Sequence, residues 1–374
     1  MTGDRKLLDH MMSRRRLLGT GAALAGAAAL STACGGIQQN QGSSGSKSKG
    51  KLKVTLFAFL GGDLAKMPKE FAQAYMDKHK NVEVSVYEQS NTIGYTKMLA
   101  QRKADPGQPL VNLGFFNSST TVQGVGDKMW SKLDYGTMKN ASDIFPSMQR
   151  KDGFGIGIGT DQYGLVYNKE KITDHPTSWK ALWDPKYRGE VCLFKGPWYA
   201  LVMAARLNGG GENDVAPGWA LWKKNAKQLR LMVESNPQYL NVLSNGTAPL
   251  TSYFAGTSQQ WIDSGAPLTY VVPDEGAIQQ PVYLQAVAGS SQSQLEVAHE
   301  MIDEMISPKW CSRWAEVSVE MPANSRAKLP EKLQGLPAFS SKTREHFVDI
   351  DLDVVGRHSA AWQEQWDRDV TSRI

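Results

Sequence analysis

The sequence predicts an α/β fold, and two observations carry that expectation. β-rich runs alternate with helically spaced runs along the chain, and 374 residues with 41% hydrophobic content can bury a large core, divided over about two domains. Lys53 to Phe59 (KVTLFAF) is a short β-rich run stopped by Gly61-Gly62. Leu64 to His79 then has helical spacing, and Val82 to Tyr87 alternates as a strand, which completes a β-α-β unit. Leu110 to Phe116, Gly164 to Tyr167, Glu190 to Phe194 and Leu268 to Val272 read as further strands. Leu295 to Ile306 sets Leu295, Ala298, Met301, Ile302, Met305 and Ile306 on one face and stops at Pro308, the mark of an amphipathic helix. The last 17 residues repeat the device with Trp362, Trp366 and Val370. These stripes face a core, and no internal repeat recurs at a fixed period.

Charge excludes one class of partner. The chain carries 42 Lys+Arg against 37 Asp+Glu, a net of +5, and Arg5, Lys6, Arg14, Arg15 and Arg16 against Asp4 and Asp9 place +3 of it in residues 1–34. The remainder has no basic stripe with interleaved aromatics, so no nucleic-acid partner is expected.

The N-terminus reads as an address. Ser13-Arg14-Arg15-Arg16-Leu17-Leu18 precedes a 14-residue apolar run, Leu17 to Leu30, too short to span a bilayer. Paired arginines before a Gly/Ala-rich segment resemble a twin-arginine export signal. Leu30-Ser31-Thr32-Ala33-Cys34 resembles the cleavage box of lipoproteins, in which the cysteine thiol is diacylated, although Leu30 stands four places before the cysteine where three is usual. Lipidation at Cys34 is expected; a plain cleavage near Ala33 and an uncleaved anchor are the alternatives. Residues 35–52 are rich in Gln, Ser, Gly and Lys and read as a flexible tether. The body is therefore expected in the periplasm or otherwise outside the cytoplasm, touching a membrane only through the lipid. Cys192 and Cys311 would form one disulfide there or remain two buried thiols.

The chemical inventory is mostly negative. His10, His79, His175, His299, His346 and His358 are scattered without ligand spacing, so neither a metal nor another cofactor is expected. Gly153-Phe-Gly155-Ile-Gly157-Ile-Gly159 lacks the third glycine of a dinucleotide loop and the lysine of a P-loop. It fits a strand closely packed by another segment. No Gly-x-Ser-x-Gly elbow occurs, and Asp274-Glu275 is a carboxylate pair without a partner motif. An enzyme is not expected.

Gly164-Leu-Val-Tyr167-Asn168-Lys169, Pro176-Thr-Ser-Trp179 and Leu182-Trp183-Asp184-Pro185-Lys186-Tyr187-Arg188-Gly189-Glu-Val191 together resemble the solute-binding receptors of ABC importers, of the spermidine/putrescine-binding type. Pro273-Asp-Glu275-Gly276 and Met321-Pro322-Ala-Asn324 match in order, so the resemblance runs over residues 53–374 and is densest over 160–191. The Trp179/Trp183 motif is packing in that family and does not touch ligand. The resemblance implies a two-lobe periplasmic-binding-protein-like (type II) α/β fold, with a hinge of crossing strands and a ligand cleft between lobes. Lobe 1 would hold residues 53–158 and 273–325, and lobe 2 residues 159–272 and 326–374. It also implies closure on a small-molecule solute and docking on ABC permease subunits, and a monomer is expected.

Ligands in such folds sit where strand C-termini and helix N-termini face the cleft. The loops so placed offer Phe59 and Asp63; Phe116, Asn117, Ser118 and Ser119; Tyr163; Lys195, Trp198 and Tyr199; Tyr253, Phe254 and Thr257; and Glu275 and Tyr283. Polyamine receptors pair ammonium ends with carboxylates and ring faces. Where the resemblance leads one to expect two acids, this chain has Thr257 and Val282, which argues against spermidine or putrescine unless Asp63 or Asp161 takes their place. No Tyr-Tyr pair suggests ferric iron. Asn117, Ser118, Ser119 and Lys195 would suit a carboxylate or phosphonate. The expected solute is a small polar organic molecule: polyamine-like, amino-acid-like or phosphonate-like. A receptor serving a signalling partner and an exported enzyme on the same fold are the alternatives.

Overall fold

The computed structural model describes residues 50–61 and 63–374. The export segment, Cys34 and the linker up to residue 49 lie outside the described residues.

The chain opens with β1 (Leu52–Phe59), α1 (Lys66–Lys78), β2 (Val82–Gln89), α2 (Asn91–Ala104), β3 (Leu113–Asn117), α3 (Ser118–Gly126) and β4 (Trp130–Ser131). The long strand β5 (Ile156–Asn168) leads to β6 (Val191–Phe194), α4 (Trp198–Arg206), α5 (Ala216–Lys224), β7 (Leu229–Val233), α6 (Asn236–Ser244), β8 (Leu250–Phe254), α7 (Ala255–Asp263) and β9 (Leu268–Val271). A second long strand, β10 (Ile278–Val287), leads to α8 (Gln292–Met305), α9 (Pro308–Ser318), β11 (Met321–Pro322), α10 (Ser341–Glu345) and α11 (Leu352–Asp369).

The main strand order is β2-β1-β3-β10-β5-β8-β6-β7, with β9 and β11 on β5 and β4 on β10. β1 runs parallel to β2 and β3, and β6 runs parallel to β7 and β8, as crossover helices between them require. β10 and β5 are antiparallel neighbours at the centre. Two separate apolar cores hang from this pair. One joins Leu56, Phe71, Phe115, Ile158, Val282, Leu284 and Trp314. The other joins Leu165, Trp179, Leu193, Trp222, Leu250, Ile278 and Trp366. β5 contributes Ile158 to the first and Leu165 to the second, so one strand serves both lobes.

The elements read from sequence are present, with informative differences. The strand expected at Gly164–Tyr167 begins eight residues earlier, at Ile156, because its first half alternates glycine with isoleucine. Met148 crowds the space where a Cβ on Gly157 would lie, and Trp314 Cδ1 would stand 2.5 Å from one on Gly159. The glycine run is thus a closely covered strand, as its alternation suggests. α8 begins three residues before Leu295 because Ser291 and Gln294 form a capping box. β10 is buried at every position yet contains Gln279, Gln280 and Pro281. Two of its glutamines find partners: Gln285 Nε2 donates to Phe154 O at 2.8 Å, and Gln280 Oε1 accepts from Tyr199 Oη at 2.6 Å. Cys192 and Cys311 are free thiols, one in each core, so of the two expectations the buried pair of thiols holds. No described helix is long and apolar enough to cross a membrane.

Candidate functional site

Between the two cores, beside the crossing strands, lies a cavity of about 320 Å³. Asn117, Ser118 and Ser119 reach it from the start of α3, and Phe254 and Thr257 reach it from the β8–α7 junction. Tyr199 and Val282 complete opposite walls. A second chamber of about 570 Å³ shares Asp161, Thr257 and Glu320 with the first and extends past Asp63, Asn236 and Trp261. The positions where two acids are missing, Thr257 and Val282, do border the cleft, and carboxylates enter it from elsewhere.

Asp161 lies on β5, opposite Gln280 of β10. Its Oδ1 accepts the backbone N–H groups of Gln162 at 2.7 Å and Gly256 at 3.0 Å, which fastens β5 to the first turn of α7. Burial outweighs these bonds and pushes its carboxyl up to about 7. Glu320 is only 8% exposed and follows Val319, whose φ of 60° and ψ of 48° place a β-branched residue in the left-handed region at the end of α9. That turn swings Glu320 back over its own helix, where Oε2 accepts the Trp314 indole N–H at 2.8 Å. Burial, with the nearby Asp161 charge, holds the Glu320 carboxyl well above the usual carboxylate range. One acid is therefore tied to a helix of the second core and the other to a helix of the first.

The α3 terminus is tightly built. Asn117 Oδ1 accepts from Thr120 N and from the Ser119 hydroxyl, both at 2.9 Å, and the Ser118 hydroxyl donates to Pro281 O at 2.9 Å. Asn117 and Ser119 are exposed toward the cavity side, whereas Ser118 is buried. Phe254 presents one ring to the cavity and meets Tyr163 edge-on, with centroids 5.0 Å apart.

Several residues expected to touch ligand do not reach these cavities. Tyr163 is 5% exposed and packs among Trp179, Tyr199, Tyr253 and Phe254 behind the wall. Tyr253 points into the second core, stacks on Trp261 and donates its hydroxyl to Asn236 Oδ1 at 2.5 Å. Trp198 packs against Trp362 on the far side of α4. Glu275 accepts from Ser178 Oγ and Trp179 N, so it holds the tryptophan motif in place. Phe59 packs on Trp314 and Phe57, and Phe116 is fully buried on Phe57. Lys195 pairs with Glu234 at 2.9 Å on the surface. Tyr283 borders a different cavity, with the Arg150 guanidinium 5.8 Å from its ring. Asp63 lines the larger chamber but pairs with Lys66 at 2.9 Å. Sequence reasoning missed Glu320 entirely, since nothing in Ser318-Val319-Glu320-Met321 announces a left-handed turn at a valine.

Among the described residues no group of three or more His, Cys, Asp and Glu side chains is arranged to hold a metal ion. What the cleft offers is a smaller, largely apolar recess with a ring wall that opens on a more polar chamber, with two acids bordering both, suited to binding an organic molecule.

Residues 114–340, more than half of the chain, match the family described as bacterial extracellular solute-binding protein, and the chain belongs to that family. Solved structures share the fold. An ABC transporter structure from Clostridium perfringens superposes with a TM-score of 0.73 at 19% identity, covering 86% of this chain and 100% of that one. The spermidine/putrescine ABC transporter substrate-binding protein of Streptococcus pneumoniae, in complex with calcium and HEPES, gives 0.68 at 19% identity over 85% and 99%. A periplasmic binding protein from Actinobacillus pleuropneumoniae with fructose-6-phosphate bound gives 0.64 at 16% identity over 87% and 99%. No curated protein matches the chain in sequence. The two-lobe α/β architecture and the solute-receptor class are those the sequence implies.

Proposed function

We propose that this chain is the capture component of an ABC importer: it closes on a small polar organic solute outside the cytoplasmic membrane and presents it to permease subunits. The observation that carries this reading is the recess between the two cores, walled by α3 on one side and the β8–α7 junction on the other, with β5 and β10 crossing behind it. Two strands that belong to both lobes are a hinge by construction, because bending them alters the gap without breaking either core. The division into residues 53–158 with 273–325, and 159–272 with 326–374, is supported by the separate cores. Asn117, Ser119, Phe254 and Thr257 are the ligand contacts this reading assigns among those expected from sequence. The protein works as a monomer without enzymatic turnover, held near the membrane by a lipid on Cys34.

A thermal-shift screen of the full chain against polyamines, amino acids, phosphonates, thiamine and ferric chelates tests the reading, followed by small-angle scattering with each hit. A true solute at 100 times its dissociation constant adds about 2.7 kcal/mol of stability and contracts the particle. Uptake of that solute by cells carrying the permease, lost on deletion of this chain, completes the test. Hits without contraction or uptake dependence would sink the importer reading.

A further inference from the structure

Resting on the receptor reading and its two lobes, we infer that Arg150 and Asp353 are an electrostatic latch on the face of the hinge turned away from the cleft. The latch holds the cleft open and so sets solute affinity at a place the solute never touches. Alternate residues of β10 define the two faces. Gln280 and Val282 line the recess with Asn117 and Phe254, whereas Gln279 and Tyr283 line a separate cavity of about 490 Å³ behind it. Pro281 borders both. The rear cavity spans the lobes: Ser147, Arg150 and Asp152 enter it from one, and Glu212, Asp349 and Asp353 from the other. Met148, two residues before Arg150, belongs to the first core, and Ile350 and Val355, on either side of Asp353, belong to the second.

Each partner is held firmly by its own lobe. Asp152 grips Arg150, with Nε to Oδ1 at 3.1 Å and Nη2 to Oδ2 at 2.5 Å, and the Tyr283 ring lies 5.8 Å from the guanidinium. Only 13% of the Arg150 side chain is exposed, so it has little freedom to swing away. On the other lobe, Arg206 Nη2 donates to Asp349 O at 2.7 Å and pairs with Glu212, which accepts Asp351 N at 3.0 Å. Asp351 in turn caps α11 by accepting Asp353 N at 2.9 Å. Two fixed mounts thus present Arg150 Nη2 and Asp353 Oδ1 to each other at 3.6 Å, near enough to attract and too far to hydrogen-bond. Among the described residues Asp353 has no other cationic partner, and Lys151 is exposed at the cavity rim.

The direction of the effect follows from the pivot. β10 lies between the two cavities, so bending that closes the recess opens the space behind it, and opening the recess squeezes that space. Attraction across the rear therefore favours the open cleft, and a solute that closes the lobes pulls against it. α11 also meets α3 of lobe 1 at Gly356, where Val122 Cγ1 would stand 3.0 Å from a Cβ. That contact is apolar and insensitive to salt, whereas salt screens the charged pair.

The test uses the full chain with C34S, free of solute, and spin labels on L60C and Q260C, exposed positions on opposite rims of the larger chamber. Cys192 and Cys311 are buried and stay unlabelled. Label distances are measured by double electron-electron resonance at about 0.05 M and about 0.5 M sodium chloride. D353N should raise the ratio of short to long distances about threefold, the effect of losing one partly exposed ion pair. High salt should do the same to the wild type and little to D353N, while D353E, which keeps the charge, should behave as the wild type. R150Q should match D353N, and the double variant should add nothing. Unchanged or longer distances in D353N, or a salt response that survives in it undiminished, overturn the latch. A solute from the screen that shortens the distances should bind D353N more tightly, by up to the same factor. If a solute contracts the protein while D353N leaves the distances unchanged, the latch falls and the receptor stands. If D353N shifts the distances and no solute contracts the protein, the latch stands and the receptor reading falls.

Discussion

Trp314 donates its indole N–H to Glu320 across only six residues, and the contact exists because Val319 between them is left-handed. An L-residue in that conformation costs about 1–2 kcal/mol, and a β-branched one is worse placed than most. Val319 offsets the cost by burial in a small cluster with Ala255, Met321, Leu333 and Phe339. Its carbonyl also presses on α7, where a Cβ on Gly256 would stand 2.7 Å away. The acid, the turn that aims it and the helix start that holds Asp161 are thus one packed unit.

That unit gives stability a pH dependence. Asp161 and Glu320 titrate higher in the folded chain than in the unfolded one, so the folded chain binds more protons, through Asp161 between about pH 4 and 7. The Asp161 contribution is full below the unfolded value and is lost as pH rises through about 7, and Glu320 acts in the same direction. The melting temperature of the unliganded protein should fall from pH 5 to pH 8, and D161N should remove much of that fall. For Asp161 the effect is at most about 4 kcal/mol, since each unit of displacement is worth about 1.4. A parallel pair of melting profiles would refute the assignment.

Phe254 and Tyr163 are neighbours with opposite expected roles. Phe254→Ala should weaken solute binding at least tenfold, about 1.4 kcal/mol, with a small change in melting temperature, because its ring borders the cavity. Tyr163→Ala should cost about 3–5 kcal/mol of stability, since the ring is enclosed by four other aromatic side chains. Urea titration of both variants beside ligand titration separates the two effects. A stable Tyr163→Ala with lost binding would return Tyr163 to the cleft.

Gly159→Ala places a methyl group 2.5 Å from Trp314 Cδ1 and 3.0 Å from Glu320 Oε2. Overpacking of that kind costs about 1–3 kcal/mol. The indole must move, so tryptophan emission should shift along with the lower urea midpoint. Wild-type stability and emission would mean that the strand yields there without strain.

Cys34→Ser should release the protein from membrane fractions into the soluble fraction, with its solute affinity unchanged. Fractionation of cells expressing each form decides it, and a wild type already soluble after processing would end the lipid-anchor reading.

The legible part of this molecule was what local chemistry encodes. The β-α-β start, the Trp179 motif and the α8 stripe each declare themselves over a few residues, and the aromatic Phe254 and the capped Asn117-Ser118-Ser119 turn could be placed from their neighbours. β10 could not, because Gln279-Gln280-Pro281 reads as loop until a bulge at Val282/Tyr283 and partners from both lobes make it a buried strand. Tyr253 and Trp198 are one residue out of phase with the cavity, next to Phe254 and Tyr199, and on a strand or a helix start that small offset exchanges wall for core, while Tyr163 is screened from it by Phe254 and Tyr199. Glu320 depended on a backbone conformation that its sequence disfavours. Long-range placement, not residue chemistry, was the missing information.

The two free thiols have one further consequence. Cys192 and Cys311 are buried in different cores, and burial pushes both thiols up to about 12, so each is inert while its own lobe is intact. An alkylating reagent should therefore clock the unfolding of each half separately, and with solute bound the two clocks should slow together, the kinetic signature of lobes that have begun to live and die as one.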